Sequence, residues 1–155
     1  MINAHLMNSK MIKELRRAML EQFGSMIKGV FYEGSKGRVY LSNEHSGLVD
    51  LQRVNAEGIG VYVGRINPDG FRLSIEGAQL IKATKNVFEI SKEQLWDWLR
   101  GYNVKIETDY NGYCVVTHQS DVLGGGKVSN GTILNFTPRE RRIKSLINKQ
   151  PESKD

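Results

Sequence analysis

Apolar positions along this chain follow a helical period first and a strand period afterwards. Between Ser9 and Phe23, the residues Met11, Ile12, Leu15, Met19 and Phe23 recur at steps that share one face of a helix. Ser9 is the expected N-cap and Gly24 the expected stop. Lys10, Lys13, Arg16 and Arg17 fall mostly on the opposite face, which suits a solvated surface or an RNA contact. Ile27–Glu33 and Arg38–Ser42 then read as a β-hairpin around Gly34-Ser35-Lys36-Gly37. Val49–Val54 reads as a further extended piece. Residues 1–56 are thus expected to form a small helix-plus-hairpin unit. Its apolar surface is too small to stand alone, so it should pack on the strands C-terminal to it.

From residue 57 onward the pattern is mainly β. Gly60–Ile66 alternates and is rich in β-branched residues, and Asn67-Pro68-Asp69-Gly70 is a strong turn signal. Ser74 can cap a short helix over Ile75–Thr84, which ends near Lys82 and Lys85. Asn86–Ile90 is extended. Ser91 and Gln94 form a capping box for a helix that runs to Gly101. On it Leu95, Trp98 and Leu99 share a face, so the tryptophans read as core, with Trp96 the more exposed candidate for base stacking. Tyr113–His118 is a strand, Gln119–Asp121 a turn, and Asn130-Gly131 a type I′ hairpin signal. Pro138 ends the sheet, and the polar segment 148–155 reads as a disordered tail. Many short strands at close spacing suggest a small barrel. The expected fold class is α+β: a β pseudo-barrel with short helices over 57–147, preceded by the unit at 1–56.

Bulk properties narrow the function classes. With 155 residues, 39% hydrophobic and 25% charged, the composition is that of a soluble globular protein. No apolar run approaches the about 20 residues needed to span a bilayer. The first residues lack the layout of a signal peptide. A cytoplasmic location away from membranes is expected. The single cysteine, Cys114, rules out an internal disulfide and lies in an apolar strand pattern typical of a buried thiol. His5, His45 and His118 show no metal-ligand spacing. A net charge of +5 and a pI near 9.3 favour a polyanionic partner.

The charge is concentrated around Val122–Arg142. Gly124, Gly125 and Gly126 precede Lys127, and Arg139, Arg141, Arg142 and Lys144 cluster beyond the next hairpin. Glycine lets a backbone approach a ligand closely, and lysine and arginine beside it suit phosphate. The run is not a P-loop, because Lys127 is followed by Val128 and leads into a hairpin. Nor is it a dinucleotide fingerprint, since no βαβ unit surrounds it. Two readings stay open: a bulge or sharp barrel corner, and a glycine-lined RNA contact with Lys127 on a phosphate. Arg65 and Arg72 flank a strand pair upstream and can join the same footprint. Tyr62, Tyr110 and Tyr113 are candidate stacking surfaces or half-buried strand residues. No catalytic triad, carboxylate pair or Cys–His pair stands out.

Several segments occur in a characteristic order: Gly60-Val61-Tyr62-Val63-Gly64, Phe71–Ala78, Trp98-Leu99-Arg100-Gly101, Gly112–Thr117, Leu123–Lys127 and Asn135-Phe136-Thr137-Pro138-Arg139. In this the chain resembles the PUA-like RNA-binding domain of Sun/Fmu-type RNA cytosine-C5 methyltransferases and its stand-alone archaeal relatives in ribosome biogenesis. The resemblance spans roughly residues 57–143. It implies a PUA-like pseudo-barrel and an RNA-binding role, with residues 1–56 as a pre-PUA-like unit. The chain departs from those enzymes in having no room for their S-adenosylmethionine-binding domain, and its one cysteine lies in a strand. The expectation is therefore a non-catalytic RNA-binding protein of ribosome biogenesis or rRNA/tRNA modification, without cofactor. It would hold structured RNA, and its protein partners would be an RNA methyltransferase acting in trans or a ribosome-assembly factor. The rival expectation is a protein–protein adaptor in such an assembly.

Overall fold

Helix α1, Ser9–Phe23, buries Leu15, Met19 and Phe23, with Met11 and Ile12 packed beside them, as the spacing requires. Its cap is Asn8, one residue earlier than expected: the Asn8 Oδ1 accepts the Met11 N–H at 2.8 Å. Gly24 closes the helix at φ 72, a left-handed conformation that glycine adopts without a Cβ penalty. The computed structural model describes residues 4–42 and 60–144. The extended piece expected at 49–54 and the tail at 148–155 lie outside the described residues.

Among the described residues, ten strands form two five-stranded sheets. The first sheet is β1 (His5–Leu6), β2 (Phe31–Glu33), β3 (Arg38–Leu41), β4 (Val61–Asn67) and β5 (Gly70–Leu73), antiparallel and in chain order. Helix α2 (Ile75–Ile81), capped by Ser74, leads to β6 (Val87–Glu89) and then to α3 (Lys92–Leu99). The second sheet combines β6 with β7 (Val104–Lys105), β8 (Gly112–His118), β9 (Asp121–Ser129) and β10 (Thr132–Asn135). Its order is β6-β8-β9-β10-β7, and β6 runs parallel to β8. The fold is α+β, with the second sheet curling as a pseudo-barrel. The first sheet draws strands from both sides of residue 56, so the helix-plus-hairpin unit is continuous with β4 and β5 through main-chain hydrogen bonds.

Strand β8 joins the two halves. Tyr113 and Val115 enter the core that also holds Phe23, Phe31, Phe71 and Ile81. Cys114 and Val116 point the other way, into a second core with Ile90, Trp98, Val128 and Ile133. A strand buried on both faces reads as a continuous apolar run, which is how Tyr113–Val116 reads in the sequence. The Asn130-Gly131 turn takes positive φ at both residues, as a type I′ hairpin requires.

The glycine-rich run is a strand, not a loop. β9 passes through it unbroken, with Val116 opposite Gly124, Val115 opposite Gly125 and Cys114 opposite Gly126. The register shifts where Thr117 meets Val122, which leaves Leu123 as a bulge residue. All three glycines are buried. A Cβ on Gly125 would lie 2.5 Å from the Leu73 carbonyl oxygen, so this glycine allows β5 and β9 to approach.

Candidate nucleic-acid interface

The pairing of β3, β4 and β5 places three arginines side by side. Arg38 lies opposite Arg65, and Arg65 lies opposite Arg72. Directly opposed residues project from the same face of a sheet, so the guanidinium groups form one row. Like charges in that position destabilise a sheet unless an anion lies between them. The row lines a groove of about 330 Å³, whose other walls include Tyr62, Glu76, Gly125, Phe136, Glu140 and Arg141.

Within the groove the charges are unequally satisfied. Arg141 Nη1 is 2.9 Å from Glu76 Oε2 and is neutralised locally. Arg72 lies with its Cζ 4.5 Å from the centre of the Phe136 ring, a cation–π contact. Arg65 has its Nε buried with no hydrogen-bond partner among the described residues.

On the same outer face Tyr32, Tyr40 and Tyr62 lie side by side in register. Tyr32 and Tyr40 are buried, and burial pushes the Tyr40 hydroxyl above its ordinary pKa. Only Tyr62 of this row reaches the groove.

The other expected site residues, except Gly125, are placed elsewhere. Lys127 extends to Asp69, with Nζ 2.5 Å from Oδ2, over the face of Tyr113. Tyr113 donates its hydroxyl proton to the same carboxylate at 2.7 Å. Lys127 is therefore the near end of a latch between the β4–β5 turn and β8–β9. Arg142 donates through Nε to the Thr137 carbonyl and packs against Gly101, which braces the chain after β10. Arg139 is exposed in the short 3-10 turn Arg139–Arg141, and Lys144 is exposed near the end of the described segment. Gly124 and Gly126 serve packing, and Gly125 alone of the three lines the groove. Of the three candidate stacking tyrosines, Tyr110 is tied by its hydroxyl to the Tyr113 carbonyl and Tyr113 is buried.

Cys114 is fully buried, and burial pushes its thiol to about 12. A thiol held in that state is a poor nucleophile. Among the described residues, no three His, Cys, Asp or Glu side chains are grouped so that they could hold a metal ion. No helix among them is long and apolar enough to cross a membrane.

Residues 85–143 match the family model of the methyltransferase RsmF PUA domain. That segment is a PUA-like domain. No curated protein matches the chain. The PUA-like domain contributes Gly125, Phe136 and Arg141 to the groove, whereas Arg38, Arg65 and Arg72 all precede the matched residues. The groove thus forms where the PUA-like domain meets the sheet before it. The sequence pattern singles out Arg65 and Arg72 but misses Arg38 and Phe136. One signal for the first pair is local: they lie equally far from the Asn67–Gly70 turn, which sets them opposite each other in a hairpin.

The Lys127–Asp69 latch has a defined pH signature. Its hydrogen bond to Lys127 first, and that to Tyr113 second, hold the Asp69 carboxyl below the usual carboxylate range. A depressed folded-state pKa stabilises the fold above the unfolded value of about 4 and ceases to do so as pH falls through the folded value. Asp69→Asn should therefore lower Tm at neutral pH, and the gap to wild type should close as the solution is acidified below about pH 4. Thermal melts of both proteins across that range check it. A gap that persists in acid would assign the loss to packing and not to the ion pair.

Proposed function

We propose that this protein is an RNA-binding module working with RNA modification or ribosome assembly. The observation that carries this reading is the row Arg38–Arg65–Arg72 along a groove whose other walls come from Tyr62, residues 73–76 and the PUA-like domain. A row of guanidiniums with no ion-pair partner among the described residues is costly in the free protein and favourable with phosphate bound, because arginine donates two parallel hydrogen bonds to a phosphate. Each phosphate neutralised also releases counterions, which makes binding salt-dependent. The match to a domain of an RNA methyltransferase supports the same partner class. In this reading the chain supplies binding and no chemistry, and a methyltransferase acting in trans would modify the RNA it holds. Cytoplasmic rRNA or tRNA is the expected partner. Residues 1–56 and 57–147 serve as one binding unit, because the groove takes residues from both.

The test is a mobility-shift assay with structured RNA at low salt, run beside co-purification of protein partners. A shift that weakens steeply with added salt supports RNA binding. No shift at low salt, with a protein partner retained, would favour the adaptor role.

A further inference from the structure

We propose that the groove takes one unpaired nucleotide, with its phosphate on the Arg38–Arg65–Arg72 row and its base stacked on the Arg72 guanidinium. This rests on the RNA-binding reading and specifies which part of an RNA enters the site. Three observations lead to it. The first is size: about 330 Å³ lies at the lower end of small-ligand sites, the scale of a single nucleotide and not of a duplex. The second is the Arg72–Phe136 contact. The Arg72 Cζ lies over the ring, 4.5 Å from its centre; in the proposed complex the guanidinium face turned away from Phe136 takes the base while the N–H edges donate to phosphate. Stacking of unpaired bases on aromatic rings and arginine planes is the common mode of reading single-stranded RNA. The two demands on Arg72 act in perpendicular directions and do not compete.

The third observation is the negative charge on the groove wall. Glu76 and Glu140 line the wall on the side of α2 and the 3-10 turn, and Glu76 already occupies Arg141. A continuous duplex backbone would carry phosphates past both carboxylates. A single phosphate on the arginine row avoids them. Strand ends and bulged nucleotides meet this condition, and uninterrupted helix does not.

The experiment compares a blunt RNA hairpin with the same hairpin carrying a short single-stranded overhang, by fluorescence anisotropy at matched salt. The overhang should bind about tenfold or more tightly, the range given by one stacked base. Arg72→Lys keeps the charge but loses the plane, and should reduce the overhang preference to near one. Phe136→Leu should do the same, and circular dichroism establishes that each variant is folded. Equal binding of both RNAs by wild type would overturn the single-nucleotide inference while leaving RNA binding intact. Retention of the full preference in folded Arg72→Lys would also overturn it. Binding of neither RNA at low salt would instead overturn the RNA-binding reading.

Discussion

Arg65→Gln should weaken RNA binding by about ten- to hundredfold without lowering Tm. Arg65 is the middle member of the row, with Arg38 on one side and Arg72 on the other. Removing it takes away a charged hydrogen bond to phosphate, which contributes roughly 1.5–3 kcal/mol, and each 1.4 kcal/mol is about tenfold in affinity. The stability side has the opposite sign. The variant separates Arg38 from Arg72, relieves like-charge opposition and removes a buried Nε that has no partner among the described residues. A binding site held in this way is stabilised less by its own residues than by its ligand. Lys127→Gln supplies the contrast. Lys127 is engaged by Asp69 and lies outside the residues that line the groove. Its loss should leave RNA affinity within about twofold, the scale of an exposed ion pair. Anisotropy titrations of both variants and thermal melts of Arg65→Gln read the three outcomes. A large loss of affinity for Lys127→Gln with none for Arg65→Gln would return the site to the glycine-rich strand.

Trp98→Ala should be the most damaging single change to the fold. Trp98 is the largest side chain with almost no exposure, and it ties α3 to the second sheet beside Cys114, Val116, Val128 and Ile133. Truncating a buried tryptophan costs about 3–5 kcal/mol through lost transfer energy and the cavity left behind. For a domain of this size that corresponds to a Tm lower by roughly 10–15 °C. Trp98→Phe should cost clearly less, because the indole Nε1 has no hydrogen-bond partner among the described residues and phenylalanine loses no bond there. Calorimetry of the two variants checks the order. Equal losses would mean that the indole N–H is satisfied and that the core depends on it.

Local features of this fold can be read from the sequence because their causes are local. The Ser91–Gln94 capping box forms both of its hydrogen bonds, at 3.1 and 3.0 Å. The Asn130-Gly131 turn and the buried face of α1 result from residue type and spacing alone. The site is legible only in part, because it is made by register. Arg38 reaches Arg65 through the pairing of β3 with β4, and that pairing contains an irregularity between Val39 and Tyr40 that no local pattern announces. Phe136 stands out in the sequence only as part of a family motif, and its contact with Arg72 depends on how β5 meets the end of β10. Lys127 resembles a phosphate ligand in the sequence because its carboxylate partner, Asp69, is distant along the chain. The glycines signal close backbone approach correctly, but the neighbour of Gly125 is the Leu73 carbonyl of the adjoining sheet.

The central claim is that the arginine row across β3, β4 and β5 carries the phosphate contacts. The salt dependence of RNA binding tests it most directly, compared between wild type and the triple variant Arg38→Gln, Arg65→Gln, Arg72→Gln. Each phosphate contact adds about 0.7 to the slope for single strands and about 0.9 for duplexes. With one phosphate held by the row, the slope for a single-stranded ligand should be shallower by about 0.7 in a triple variant whose circular dichroism matches wild type. An unchanged slope in that folded variant would contradict it.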